Sequence, residues 1–316
     1  MPRAIDLFCG CGGLSLGFQN AGFQIVRAFD NWEKAAAIYN ANFTDHEAEL
    51  KDAYDLTPDY LESFSPDIII GGPPCQDYSS AGKQDETQGR ANLTLRFAEL
   101  VCGTGTKWFV MENVDRILKS ETLPKAIDLF RKKGYGLTQV VLDASKCGAP
   151  QIRKRFFLIG ELGGQDDFLK DGLINDLSTR SMTVREYLGD EFGTEYYYRH
   201  PRSYARRGIF SIDEPSPTVR GVNRPIPATY KVHPGDATAD LSKVRALTTL
   251  ERARIQTFPK SFAFEGKKTD LEQIIGNAVP VELAAYVGRH VHNYILNFQP
   301  ELKCDTEYEQ LAIELP

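Results

Sequence analysis

Apolar positions in this chain fall in short runs separated by stretches of helical spacing. Residues 4–8 (AIDLF) form such a run, followed by the turn Cys9-Gly10-Cys11-Gly12-Gly13 and by residues 14–21 with helical periodicity. A second run at 24–29 leads through Asp30-Asn31-Trp32 into a helical segment at 33–42, and a weaker third unit carries Asp52 and Asp55. Asp67-Ile68-Ile69-Ile70 is uninterrupted and β-branched, the pattern of a central parallel strand covered on both faces. Residues 92–101 predict a helix, 108–111 a further buried strand, 138–143 and 156–160 two more strands, and 281–296 a closing helix that returns to the first domain. Strands alternating with helices predict an α/β fold, a doubly wound, mostly parallel sheet.

With 316 residues, 42% hydrophobic, the chain has core enough for one large or two modest domains. The polar stretch 163–171 follows the last strong strand, so we expect residues 1–165 plus 270–316 to form one domain and 166–269 a smaller one. Six cysteines without a CxxC pair fit neither a disulfide framework nor a zinc site, and no signal peptide is expected, which points to a reducing cytoplasm. No run approaches the ~18 apolar residues of a membrane span. His290 and His292, two apart on the closing helix, face different ways and predict no metal pair. A net charge of -6 argues weakly against nucleic acid, but charge is local: residues 199–231 hold seven basic residues (Arg199, Arg202, Arg206, Arg207, Arg220, Arg224, Lys231) against Asp213 and Glu214. Tyr196, Tyr197, Tyr198 and Tyr204 accompany them, and arginines in a groove bind phosphate and read guanine edges.

Cys75 is the residue for which core packing gives no reason. It follows Gly71-Gly72-Pro73-Pro74, where glycines allow close approach and prolines stiffen the loop, at the carboxyl end of a strand, the edge where open α/β sheets bind ligands. Glu112 ends the strand at 108–111, where desolvation would keep a carboxyl protonated; a surface ion pair is its ordinary alternative. Arg153 and Arg155, two apart on an extended segment, point to one face and can grip phosphate or carboxylate. The GxGG turn suits a ligand at a helix N-terminus but departs from the dinucleotide spacing. Asp30 or Asn31 is placed to take ribose hydroxyls or to cap the next helix, and Asp52 or Asp55 to accept from an adenine amino group.

Six ordered motifs together resemble the DNA (cytosine-5) methyltransferase family in its compact bacterial modification form. They are Asp6-Leu7-Phe8-x-Gly10-x-Gly12-Gly13; Gly72-Pro73-Pro74-Cys75-Gln76-x-x-Ser79; Glu112-Asn113-Val114; Gln151-x-Arg153-x-Arg155; Arg245-x-Leu247-Thr248 with Glu251, Arg254, Gln256, Phe258 and Pro259; and Gly276-Asn277-Ala278-Val279-Pro280. The resemblance implies a Rossmann-like S-adenosylmethionine-dependent fold with a target-recognition domain, and methyl transfer to C5 of a flipped cytosine in duplex DNA. Cys75 would attack C6, Glu112 would protonate N3, and Arg153 and Arg155 would orient the base and favour the thiolate. For the cofactor it implies Phe8, Gly10, Gly12, Gly13, Trp32, Pro73, Asn277 and Val279, together with Asp30 or Asn31 and, of the two later acids, preferably Asp52. Asn31 stands where the family often carries an acid. For DNA it implies Gln76, Ser79, Arg90, Arg202, Arg206, Arg207, the Thr218-Val219 pair, Arg220 and Arg224. A cytoplasmic monomer is expected, with a restriction endonuclease that acts on the same site without forming a complex. The competing readings are an RNA cytosine-5 methyltransferase and a non-catalytic DNA-binding protein.

Overall fold

The computed structural model describes residues 1–74, 93–201, 203 and 205–297. In chain order, the larger part contains β1 (Arg3–Leu7), α1 (Gly13–Asn20), β2 (Gln24–Asp30), α2 (Glu33–Asn42), β3 (Ala48–Leu50), α3 (Pro58–Glu62), β4 (Ile68–Gly71), α4 (Leu93–Thr104), β5 (Trp108–Val114), α5 (Thr122–Lys133), β6 (Tyr135–Asp143), β7 (Gln151–Ile152) and β8 (Lys154–Leu162). Seven strands make one sheet in the order β3-β2-β1-β4-β5-β8-β6. Only β8 runs against the others, pairing antiparallel with both β5 and β6. The fold is therefore the expected doubly wound, mostly parallel sheet.

The isoleucines of β4 show why this strand sits near the middle. Ile68 and Ile70 join the apolar layer of α1 and the closing helix, with Phe18, Leu283 and Val287, while Ile69 joins Phe97, Val101 and Phe130 of α4 and α5 on the other face. A strand clad on both sides needs apolar residues at every position. Strand order reverses between β1 and β4, whose ends pair as Leu7 with Gly71. The glycine turn after β1 and the Gly72-Pro73-Pro74 segment after β4 thus leave the sheet side by side, at the crevice where such sheets place ligands.

The remaining elements are α6 (Lys170–Asn175), α7 (Val184–Leu188), β9 (Tyr196–Tyr198), β10 (Ile209–Ser211), β11 (Ser216–Pro217), β12 (Val244–Ala246), α8 (Thr249–Ile255), α9 (Lys268–Asn277) and α10 (Val281–Asn297). A small sheet, β10-β9-β12, organises the second unit, and β11 pairs with β7 of the first. Residues 166–182 pack back onto the larger part: Asp166 accepts from the Leu137 amide, Leu173 is buried against α10, and Met182 N donates to Ser145 O. We accordingly place the start of the small unit near Val184, later than residue 166. His290 meets Asp176 and His292 packs edge-on to Phe23, so the two histidines do face apart.

Candidate active site

Three neighbouring strands deliver the site. β5 carries Glu112 and Asn113 to its carboxyl end, both buried. Asn113 Nδ2 donates to Pro73 O (2.8 Å), which pins the loop that leads to Cys75. Asn113 is a residue whose role the sequence left unassigned, although its place beside Glu112 was the available signal. Across β8, Arg155 Nε approaches Glu112 Oε1 to 2.8 Å, a close ion pair at an angle poor for a hydrogen bond. Burial pushes the Glu112 carboxyl above its ordinary range, and the Arg155 and Arg153 charges oppose that shift without cancelling it.

The two arginines do not share a task. A break between β7 and β8 turns Arg153 inward, where it is 1% exposed and donates to Val219 O (2.9 Å), Gly276 O (3.0 Å) and Ala278 O (3.1 Å). Its guanidinium ties the small unit to the turn before α10, whereas Arg155 alone meets the acid. Gln151 belongs to the same junction: its amide accepts from Val219 N (2.8 Å) and donates to Gln256 (2.7 Å).

At the neighbouring crevice, Phe8 has a positive φ of 63° and Gly10 one of 55°, so the chain bends sharply as it leaves β1. Asp30 holds this bend. Its carboxylate accepts from Gly10 N and from Trp32 N, each at 2.8 Å, and burial raises its pKa. It neither caps α2, whose N-cap is Trp32, nor keeps an oxygen free of backbone amides. Gly13 starts α1 against the last motif, where a Cβ would lie 2.3 Å from Val279 O. A pocket opens beside the bend, lined by Phe8, Asp30, Asn31, Lys51, Asp52 and Leu56 among others. Asn31 Nδ2 reaches Asp52 Oδ2 (3.2 Å) at its rim, and Asp55 is not part of the lining. Its wall is apolar along Leu7, Phe8, Phe29, Ala53 and Leu56, and polar where Asn31, Lys51 and Asp52 stand. Beneath the turn, Asp6 is a fully buried acid, pushed up to about 8 by desolvation and bonded to the Ser15 hydroxyl (2.6 Å). An acid inside an otherwise apolar run, at the head of the first motif, was its signal in the sequence.

The basic segment is partly consumed internally. Arg207 pairs with Glu214 and lies 4.3 Å over the Phe210 ring, Arg199 donates to Thr218 O (2.9 Å), and Arg220 donates to His200 O. The Thr218 hydroxyl donates to Ile152 O (2.8 Å). Arg206, Arg224 and Lys231 face solvent. Cys75, Gln76, Ser79, Arg90 and Arg202 lie outside the described residues. Among the described residues there is no cluster of groups fit to hold a metal ion, and no helix long and apolar enough to cross a membrane.

Known proteins match this arrangement. A type II methyltransferase of Haemophilus influenzae, M.HindV, is 56% identical over 95% of this chain and 98% of its own length. M.HgiDI of Herpetosiphon aurantiacus, also a type II methyltransferase, is 54% identical over 93% and 95%. The fold is shared with the Dnmt2 methyltransferase of S. pombe, at a TM-score of 0.70 and 18% identity, over 94% of this chain and 99% of that one. The family model for C-5 cytosine-specific DNA methylases spans residues 2–293. By that match and these relatives, the chain belongs to the C-5 cytosine-specific DNA methylase family and is a DNA (cytosine-5) methyltransferase.

Proposed function

We propose that Cys75 is the nucleophile and Glu112 the acid of a covalent route to 5-methylcytosine in duplex DNA, with Arg155 as the partner that sets the charge of the acid. The observation that carries this reading is the buried Glu112–Arg155 pair beside Asn113, whose side chain anchors Pro73 two residues before the thiol. C5 of cytosine is a weak nucleophile. Bonding of the Cys75 sulfur to C6, with a proton passing from Glu112 to N3, turns the ring into an enamine with its electron density at C5. Once C5 has gained the methyl group it is tetrahedral; loss of its proton to water then lets the C6–S bond break and frees the thiolate, and return of the N3 proton to Glu112 restores the aromatic ring. Because C6 is shielded in the stacked duplex, the base must be extruded to meet the sulfur.

The family implies S-adenosylmethionine as the donor, and the crevice residues fit it: Phe8 and Asp52 against adenine, Asn31 at the ribose edge, Gly10, Gly12 and Gly13 along the amino-acid end, and Asn277 and Val279 closing from the other side. When bound, it supplies a methyl group on a positively charged sulfur. Asp30 acts one layer behind, shaping the turn. Thr218, Arg220, Arg224 and Arg206 would face DNA. The type II names of the relatives favour pairing with a restriction endonuclease of the same site, and we infer a cytoplasmic monomer.

Methyl transfer from labelled cofactor to duplex DNA and not to tRNA is expected, as is a covalent complex with DNA carrying 5-fluorocytosine, whose fluorine cannot leave as a cation. Cys75→Ser should bind DNA yet form neither product nor adduct. An adduct formed by Cys75→Ser, or none by the unaltered protein on sites it methylates, would remove this mechanism.

A further inference from the structure

Behind the segment that carries Arg220 and Arg224 lies a polar network that the reaction does not use. Arg252 of α8 and Glu272 of α9 are 4% and 3% exposed and form an ion pair. Arg252 also donates to Arg220 O. Glu272 Oε1 accepts from the Thr249 hydroxyl (2.8 Å) and from Asn223 Nδ2 (3.0 Å), which donates as well to Leu247 O (2.7 Å). Between these two anchors, Gly221 rests on α9 so closely that a Cβ on Gly276 would sit 2.3 Å from Gly221 N. Residues 220–223 are thus held at both ends and pressed at the centre, while Val222 (51% exposed) and Arg224 face outward.

A buried ion pair is a poor stabiliser, since an apolar pair of like volume often does as well. It does fix direction, because each charge demands partners at set positions. Asn223, Arg252 and Glu272 belong to none of the six motifs described above. We propose that Arg252, Glu272 and Asn223 are positioning residues for base selection, holding the backbone of residues 220–223 at the height from which Arg220 and Arg224 meet base edges. The inference rests on the reading that this segment contacts the target sequence. Proximity of the Arg220 charge, after burial, helps bring Arg252 down to about 10, in keeping with two guanidinium groups gathered at one edge of the network.

The test is methylation of plasmid DNA in vitro followed by bisulfite sequencing, which reads the preference at every position of the site. The double variant Arg252→Met with Glu272→Leu removes the pair without stranding a buried charge, and Asn223→Ala releases the far anchor alone. Both are expected to keep cofactor affinity, and both should lower discrimination against single-base-pair changes by about tenfold, equivalent to one weakened base contact. Arg220→Ala and Arg224→Ala serve as the reference. If neither of these relaxes the methylated sequence, the segment does not read DNA and the inference falls with that reading. If either does, while Asn223→Ala and a folded double variant discriminate like the unaltered protein, the positioning role is overturned and the reading stands. Should the double variant fail to fold, Asn223→Ala decides alone.

Discussion

Replacing Arg153 with Met separates a structural tie from a group that touches substrate. The change strands two buried carbonyls, those of Val219 and Gly276, while Ala278 O keeps the hydrogen bond it accepts from Gln256 Nε2 (2.9 Å). An orphaned buried acceptor costs about 1–3 kcal/mol, so the gross loss is about 2–6 kcal/mol. Met regains some of this because a desolvated guanidinium disappears and its own side chain packs, leaving a net loss of about 1–4 kcal/mol. Against a typical total of about 5–15 kcal/mol, that is a large fraction. Urea unfolding followed by the fluorescence of Trp32 and Trp108 should give an earlier midpoint with an unchanged slope. Cofactor affinity should fall as well, since Ala278 lies between Asn277 and Val279. Arg153→Lys should be intermediate, as one ammonium cannot reproduce the fork. A variant as stable as the unaltered protein, with intact cofactor affinity and no turnover, would refute the tie and return Arg153 to the substrate.

Glu112→Gln should lower turnover at least about 100-fold with little change in DNA affinity, because an amide holds N3 but does not protonate it. Rates that hold up would clear Glu112. The same acid sets a pH limb: its pKa is raised, so the protonated, active form is present below that value and lost as pH rises through it. Arg155 opposes the rise, so Arg155→Met should move the alkaline limb of kcat/KM to higher pH, and a limb moving to lower pH would contradict the pairing. Gly13→Ala places a methyl 2.3 Å from Val279 O and should cost about 1–3 kcal/mol by overpacking, with weaker cofactor binding; calorimetry checks both. Arg206→Ala should reduce the salt slope of DNA binding by about one unit and Arg207→Ala by less, since Glu214 already neutralises Arg207; equal slopes would disprove that assignment.

Much of the fold was legible because its causes are local. Three successive isoleucines require burial on both faces, a glycine turn before a helical period requires a bend, and an acid directly after a buried strand is a candidate for desolvation, with a surface ion pair as its alternative. These readings need only residues near one another in sequence, and they located the sheet, the bend after β1 and the buried place of Glu112. Contacts across long separations were not available to that reasoning. By periodicity Arg153 and Arg155 share a face, yet a strand break and carbonyls 66 to 125 residues away take Arg153 out of the site and leave Arg155 to the acid. Charge counting found seven cations in residues 199–231, but it could not say that Glu214 and two carbonyls engage three of them. The polar stretch after residue 163 resembled a boundary, and packing against α10 carries the first part of it back to the larger domain. Patterns along a chain report whether a residue must be buried; which partner satisfies a buried charge is settled only when distant backbone arrives beside it.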